Sequence, residues 1–305
     1  MPDLVVIGGG FTGLSAVLYA GRLGLETVLV DQLGGGGQLM NSGPVDSYPG
    51  VSDQPLGTDL VARLIEQALT EEIEMQFGSV TRVAASDNGF VVLCDDETET
   101  EARAVIVATG TRPRRLGVPG EEGLIGRGVS DCAICDGGFF AGQPVAVVGG
   151  GDRAAEGALH LAANGSPVQL VHPGSELRAV DLLQRRLDES PEITIIPNTA
   201  VEEVSGAERV EGLSVRTGDE QRRLDVQAVF VNIGVEPCTE IVADLVDTDP
   251  NGRIVVDLGM RTRTPGLFAA GAVRTGTADQ IATAAGDGVT AALSAAEWLR
   301  QPPSQ

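Results

Sequence analysis

Residues 4–32 read LVVIGGGFTGLSAVLYAGRLGLETVLVDQ, and this stretch is the strongest indication of the fold. An apolar run, three glycines, a helix-length segment and a second apolar run predict a strand, a tight turn, a helix and a strand. Gly8, Gly10 and Gly13 fit the G-x-G-x-x-G pattern, in which glycines permit a tight turn, approach of a pyrophosphate and close helix packing. Asp31 ends the second run and can accept a ribose hydroxyl. We therefore expect dinucleotide binding here.

The same pattern recurs at residues 145–173, VAVVGGGDRAAEGALHLAANGSPVQLVHP. Gly149, Gly151 and Ala154 take the three turn positions, which predicts a second nucleotide-type unit. A 2′-phosphate would need several arginines, and only Arg178 follows the second strand. No carboxylate ends that strand, as an NADH site would favour. A Rossmann-like fold that no longer binds a pyridine nucleotide therefore stays open.

Two further apolar runs, 105–113 and 229–237, end in glycine and proline like strands at a nucleotide site. They indicate where the chain passes between two domains. We predict an α/β protein with two Rossmann-like, three-layer β/β/α domains, the second inserted into the first. The first comprises residues 1–114 and 243–305, and the second comprises residues 115–242. In the last helix, helical spacing predicts a packing face whose members are Ile281, Ala285, Val289, Leu293 and Ala296.

The composition limits the classes of partner. The chain has 305 residues and a net charge of −22, and all 21 basic residues are arginine. Such acidity argues against nucleic acid, whose phosphates need cations. No apolar run is long enough to span a membrane and no signal peptide is visible, so we expect a cytoplasmic protein without membrane contact. An acidic protein partner would need a local basic patch, for which Arg112, Arg114 and Arg115 are the candidates.

Cys132 and Cys135 form a C-x-x-C pair that Asp136 follows directly. A zinc site needs two more ligands, and the other cysteines and histidines lie at no fitting spacing, so we expect no metal. At a helix start, neighbouring N–H groups lower a thiol pKa and favour a redox pair. Asp136 can donate or accept a proton at the departing sulfur. Two cysteines that only pack as small hydrophobes remain the alternative.

These features together resemble the low-molecular-weight thioredoxin reductase family over nearly the whole chain. The segments that carry the resemblance are VIGGGFTGLSA, GGQL (36–39), YPG (48–50), ATG (108–110), CAICDG (132–137), GGGDRAAE (149–156), FAAGAV (268–273) and DQIATAAGDG (279–288). By this resemblance the first domain binds FAD and the protein is a homodimer. The flavin would reduce the disulfide of Cys132 and Cys135, and the dithiol would reduce a protein disulfide such as that of thioredoxin. Cys135 would face the flavin, Cys132 would attack the partner, and Asp136 would supply the proton.

The resemblance also implies an FAD site. Its expected members are Gly8, Gly10, Gly13, Asp31, Gln38, Thr109, Gly110, Gly271, Ala272, Gln280 and Ile281. Four departures from the family pattern stand out. The family's NADPH-binding H-R-R-x-x-x-R is reduced to His172 and Arg178, Ala272 replaces a ribityl-binding Asp, Asp279 replaces an Arg, and Ser47 replaces an Asn.

Three hypotheses follow from these departures. The first is a disulfide oxidoreductase that does not use NADPH and takes electrons from ferredoxin or through a second FAD per chain, the latter being favoured. The second is an ordinary NAD(P)H-dependent thioredoxin reductase. The third comes from another class, a non-catalytic flavin-binding sensor or scaffold.

Overall fold

The structure is a computed structural model, and it describes residues 1–42, 44–45 and 47–301. The described strands are, in chain order, β1 (Leu4–Ile7), β2 (Thr27–Asp31), β3 (Ile73–Phe77), β4 (Val80–Ser86), β5 (Gly89–Cys94), β6 (Glu99–Ala102), β7 (Ala104–Val107), β8 (Thr111–Pro113), β9 (Val129–Ser130), β10 (Val145–Val148), β11 (Val168–Val171), β12 (Ile193–Ile196), β13 (Thr199–Ser205), β14 (Gly212–Thr217), β15 (Glu220–Leu224), β16 (Ala228–Val231), β17 (Val235–Pro237) and β18 (Leu267–Ala269). The α-helices are α1 (Phe11–Arg22), α2 (Gly57–Ala68), α3 (Ala133–Asp136), α4 (Asp152–Ala163), α5 (Asp181–Asp188) and α6 (Ile281–Arg300). Short 3₁₀ turns lie at Gly37–Asn41, Glu122–Leu124, Gly137–Phe140, Glu240–Val242 and Gly271–Val273.

The chain divides into two compact units, Met1–Arg112 with Glu236–Gln305, and Pro113–Val235. Both boundaries fall within β8 and β17, which form a two-stranded sheet. The return to the first unit comes at residue 236 and not at the expected 243. The reason is local bonding, because the Thr109 hydroxyl donates to the Cys238 carbonyl at 2.7 Å and Arg112 pairs with Glu240 at 2.6 Å.

The first unit has three layers, as the sequence predicts. Its parallel sheet has the order β18-β7-β1-β2-β3, and β4, β5 and β6 form a separate antiparallel sheet. Side chains alternate along β1, since Leu4 and Val6 pack with α1, α2 and α6 while Val5 and Ile7 pack with β4–β6. A strand buried on both faces explains the unbroken apolar runs in the sequence.

The second unit repeats this arrangement. Its parallel sheet has the order β12-β11-β10-β16-β9, and β13, β14 and β15 form the antiparallel layer. Val145 and Val147 of β10 pack with α4 and α5, whereas Ala146 and Val148 pack with the antiparallel layer. Two Rossmann-like units of the β/β/α type are therefore present, and the second is inserted into the first.

The predicted packing face of α6 is wrong at Leu293, whereas Ala296 is buried and Ile281 packs partly against the core. Leu293 is 49% exposed, and the buried face is built from small residues such as Gly288, Ala291 and Ala295. The cause is close approach of two helices, because a Cβ on Gly288 would overlap the Thr12 carbonyl oxygen of α1. None of the described helices is both long and apolar enough to cross a membrane.

Candidate functional site

The turn between β1 and α1 has the backbone that its glycines predict. Gly8 has φ +99°, and a Cβ there would lie 2.5 Å from the Ala108 carbonyl oxygen. A Cβ on Gly13 would overlap the carbonyl oxygen of Gly8, so only glycine lets α1 pack this close. Gly10 is different, because a Cβ there would meet no atom within 4 Å. The structure therefore leaves open space at the turn position where a pyrophosphate would approach the backbone.

Asp31 holds the loop beside this turn. Its carboxylate accepts N–H groups from Gly9 at 2.7 Å and from Leu33 and Gly35 at 2.9 Å. An ionised carboxylate has about four lone-pair sites, so these three bonds leave room for one more donor. A ribose hydroxyl can fill that place. Asp31 thus fits its expected position and also fixes the loop that surrounds it.

The 3₁₀ turn at residues 271–273 reaches the same region. Gly271 has φ +78°, and a Cβ there would overlap the Thr12 hydroxyl at the start of α1. The Gly271 N–H donates to Asp287 at 3.1 Å, and Arg274 donates to both Asp287 oxygens at 2.7 and 2.6 Å. Asp287 is only 7% exposed in its side chain and Arg274 15%. This buried ion pair fixes the turn that carries Ala272, and the sequence analysis did not identify it.

The other expected FAD residues occupy neighbouring loops of this unit. Gln38 donates to both oxygens of Thr111 at 2.6 Å. The Thr109 hydroxyl and the Gly110 carbonyl bind Cys238, which fixes the turn after β7. Gln280 is the N-cap of α6. Its N–H donates to the Thr283 hydroxyl, and its carbonyl accepts the Ala284 N–H.

Ile281 is the first residue of α6 and is half-buried against the core. No described contact brings it or Gln280 to the β1–α1 turn. Asp279, the residue that departs from the family pattern before them, forms a two-pronged ion pair with Arg253 at 3.1 and 2.8 Å. The start of α6 is therefore held by an ion pair that the family pattern does not predict.

Cys132 and Cys135 are joined by a disulfide in the second unit, with 5.4 Å between their Cα atoms. Cys132 is the N-cap of α3, and its sulfur accepts the Cys135 N–H at 3.1 Å. Cys132 is buried at 9% exposure, whereas Cys135 is exposed and Asp136 is half-buried. The N–H bond would stabilise a thiolate at Cys132 after reduction. The roles assigned by resemblance to the three residues stay predictions.

The segment before the disulfide is anchored by two residues that sequence reasoning missed. The Cys132 N–H donates to the Ser130 hydroxyl at 3.0 Å, and the buried Asn232 amide donates to the Asp131 carbonyl at 3.0 Å. A Cβ on Gly157 of α4 would lie 3.3 Å from both Ala133 and Asn232. Asn232 follows β16, in an apolar run that the sequence did flag, so a polar residue ending a buried strand was the available signal.

The second Gly-rich turn lies in the same unit. Gly149 has φ +147°, and a Cβ there would overlap the Asn232 carbonyl oxygen. A Cβ on Gly151 would meet no atom within 4 Å, and Ala154 is fully buried in α4. The turn keeps the shape of a phosphate-binding turn at the start of a twelve-residue helix.

The two remaining cysteines are free thiols. Burial is the main cause that raises the pKa of both the Cys94 and the Cys238 thiol, so both stay protonated at neutral pH. In the part of the chain that the structure describes, no group of three or more His, Cys, Asp or Glu side chains could hold a metal ion.

Comparison with known proteins gives one consistent result. The family model for pyridine nucleotide-disulphide oxidoreductases matches residues 2–288. The thioredoxin reductase of Listeria monocytogenes is 39% identical over 302 residues, covering 98% of this chain and 94% of the relative. The bifunctional thioredoxin reductase/thioredoxin of Mycobacterium leprae is 41% identical over 303 residues, covering 98% of this chain and 66% of the relative. The solved thioredoxin reductase of Lactococcus lactis superimposes with a TM-score of 0.93 at 34% identity, covering 98% of this chain and 99% of that one.

Proposed function

This chain belongs to the pyridine nucleotide-disulphide oxidoreductases and, within them, to the low-molecular-weight thioredoxin reductase family, and from that membership we propose that it reduces the disulfide of a thioredoxin. It is thus a flavin-dependent disulfide oxidoreductase, so the hypothesis of a non-catalytic scaffold is set aside. The observation that carries the choice of substrate is the Cys132–Cys135 disulfide at the start of a short helix, which Ser130 and Asn232 anchor. A homodimer in the cytoplasm remains part of the proposal.

The first unit fits FAD. The turn formed by Gly8, Gly10 and Gly13 would hold the pyrophosphate, and Asp31 would bind the adenosine ribose. The 271–273 turn would face the ribityl chain, which it would contact through its backbone because Ala272 has no polar side chain. When bound, FAD supplies a two-electron carrier that can reduce a disulfide. Residues of the second unit handle the rest of the chemistry.

The sulfur chemistry balances as two exchanges. Two electrons and two protons convert the Cys132–Cys135 disulfide to two thiols. A thiolate then attacks the partner disulfide, a mixed disulfide forms, and the second thiol resolves it and releases the partner's dithiol. The Cys135 N–H lowers the cost of a Cys132 thiolate, and Asp136 on the same short helix can supply or remove the proton.

The electron donor is the open part of this proposal. Family membership by itself favours a pyridine nucleotide, whereas the missing arginines after β11 argue against NADPH. A ferredoxin donor would need free cations, and Arg112 is already paired with Glu236 at 2.8 Å and Glu240 at 2.6 Å. Ferredoxin and a second FAD therefore stay as alternatives to a pyridine nucleotide.

A half-reaction without any natural donor tests the proposed function. The purified flavoprotein is reduced anaerobically with dithionite to two electrons per flavin and is then mixed with oxidised thioredoxin. We expect the flavin absorbance to return with a rate proportional to thioredoxin concentration. Flavin that stays reduced at every thioredoxin concentration would contradict the proposed function.

Gly10→Ala tests the FAD cradle. The new methyl group points into open space in the protein but into the place of the pyrophosphate, so FAD affinity should fall about tenfold or more. Gly10 has φ −65°, which alanine adopts easily, so the stability of the flavin-free protein should be unchanged or higher by up to about 1 kcal/mol. The measurements are FAD titration and urea unfolding. Gly123→Ala, also in open space but in the other unit, is the control, and equal FAD affinity in both variants would refute the assignment.

Phe139→Ala tests the partner surface. Phe139 lies four residues after Cys135 and is 79% exposed, so removing its ring costs little stability. Exposed aromatic side chains beside a reactive group often dominate protein docking. We expect the second-order rate of reoxidation by thioredoxin to fall roughly tenfold. The rate with a small aromatic disulfide should stay unchanged, as should both rates in the surface control Leu69→Ala. An equal loss of rate with thioredoxin and with the small disulfide would show that Phe139 does not contribute to docking of the partner.

A further inference from the structure

The second unit contains an open pocket beside its Gly-rich turn. The pocket has a volume of about 520 Å³ and lies where β11 ends, against α5. The segment 172–180 that borders it is tied to the turn, because the Arg178 N–H donates to the Gly150 carbonyl at 2.6 Å and Asp152 accepts the Val180 N–H at 2.8 Å. In a dinucleotide-binding unit, this is the place of the adenosine ribose.

The charges in the pocket are negative. Its lining includes the carboxylates of Glu176, Asp181 and Asp188, and it includes no arginine. Arg178 is exposed and does not line the pocket. A ribose 2′-phosphate would bring about two further negative charges among three carboxylates, which is unfavourable. A free ribose hydroxyl, in contrast, can donate to a carboxylate.

His172 gives an independent indication of a ligand. It lines the pocket, is only 2% exposed, and its ring makes no hydrogen bond with a described residue. Burial lowers the pKa of this imidazole, so it is neutral at pH 7 and offers one donor and one acceptor. The ring nitrogens are not among the fully buried side-chain atoms that lack a partner in the described chain, so they can bond a polar, uncharged group in the pocket, such as a ribose or an adenine edge.

We propose that this pocket binds the adenosine diphosphate group of a dinucleotide whose ribose 2′-hydroxyl is free and excludes one that carries a 2′-phosphate. NADH and FAD both contain this group, whereas NADPH carries a phosphate on the 2′ position. That the bound dinucleotide supplies electrons to the disulfide rests on the proposed function. Gly149 permits the tight turn, and Gly151 leaves open space in which the diphosphate can approach the backbone. The residues that determine specificity are Glu176, Asp181 and Asp188, together with His172.

Ligand binding to the FAD-loaded protein tests this directly. ADP-ribose and 2′-phospho-ADP-ribose are the probes, and calorimetry gives both dissociation constants without any turnover. We expect ADP-ribose to bind roughly tenfold tighter or more. In protein that carries one FAD per chain, equal affinity, tighter binding of the 2′-phosphate, or no saturable binding of either probe would overturn the proposal. The dithionite half-reaction with thioredoxin uses no nucleotide, so it succeeds or fails independently.

A pair of matched variants tests the carboxylates. The pocket variant carries Glu176→Gln, Asp181→Asn and Asp188→Asn, and the control variant carries Glu208→Gln, Asp219→Asn and Glu220→Gln, three exposed positions elsewhere in the same unit. The pocket variant should bind 2′-phospho-ADP-ribose several-fold tighter than the wild type, because three carboxylates that repel the phosphate are neutralised. The control variant loses the same net charge away from the pocket, so its affinity should stay that of the wild type. An identical affinity ratio in the two variants would contradict the role of the carboxylates. If the pocket variant does not fold, the wild-type comparison still decides.

A count of FAD per chain and an anaerobic titration identify which dinucleotide, NADH or a second FAD, supplies the adenosine diphosphate group. One FAD per chain with bleaching by NADH identifies NADH as the ligand. Two FAD per chain, with ADP-ribose binding only after the second is removed, identifies FAD. Bleaching by NADPH at the same rate as by NADH would overturn the exclusion of the 2′-phosphate.

Discussion

Serine at Cys132 or at Cys135 is expected to slow reoxidation of the dithionite-reduced protein by thioredoxin at least about a thousandfold. In the proposed mechanism each sulfur has a separate task, because one would attack the partner disulfide and the other would resolve the mixed disulfide. Reduction of the flavin by dithionite should be unaffected, since the residues proposed to hold FAD lie in the other unit. Cys94→Ala is the control, because that buried thiol lies on β5 and stays protonated. Near-normal reoxidation in either serine variant would show that the Cys132–Cys135 pair does not take part in the reaction.

The two serine variants also decide which sulfur attacks. The family resemblance assigns the attack to Cys132, and the Cys135 N–H supports a thiolate there. Exposure points the other way, because Cys135 is exposed and Cys132 is 9% exposed. We expect Cys135→Ser to accumulate a stable mixed disulfide with thioredoxin through Cys132, detected by mass spectrometry after alkylation. Accumulation in Cys132→Ser alone would reverse the assignment.

Asp287→Ala is expected to lower the free energy of unfolding by about 3–5 kcal/mol, because it leaves the buried Arg274 charge without its partner. The Gly271 N–H loses its acceptor as well, so the turn at 271–273 should loosen and FAD occupancy should fall. Urea unfolding of the flavin-free protein, followed by circular dichroism, measures the stability. FAD per chain after purification measures the second effect.

Glu297→Ala provides the control for this ion pair. Glu297 also lies on α6 and pairs with Arg261 at 2.7 Å, but the two side chains are 64% and 42% exposed. Exposed pairs contribute little, so we expect a loss within about 1 kcal/mol. Similar losses in the two variants would mean that the Arg274–Asp287 pair does not hold the turn.

Local patterns were sufficient to predict both Rossmann-like units. Each G-x-G-x-x-G/A motif combines constraints within about thirty residues, namely two apolar strands, a sterically restricted turn and a helix, and these constraints act on neighbours in the chain. The C-x-x-C-D motif is equally local, because Cys132 caps one short helix and Cys135 and Asp136 lie on it. For these features the sequence carries the whole signal.

The last helix shows where helical spacing alone misleads. Helical spacing of apolar residues selected Leu293, which is 49% exposed. Such spacing reflects hydrophobicity and not the space that a neighbouring helix leaves for a side chain. The packed face uses Gly288 and Ala291, whose small size lets α6 approach α1. Which face is buried was decided by the partner helix.

The two nucleotide-type units, their Gly-rich turns and the Cys132–Cys135 pair can be read from the sequence, because each depends on residues close together in the chain. The partners of Asp287, the return of the chain at residue 236 and the acidic pocket become visible only in the folded chain. No carboxylate ends β11, yet Glu176, Asp181 and Asp188 line one pocket there, because the 172–180 segment is bonded to the Gly-rich turn and α5 packs beside it. Such encounters depend on packing between elements, which local periodicity does not encode.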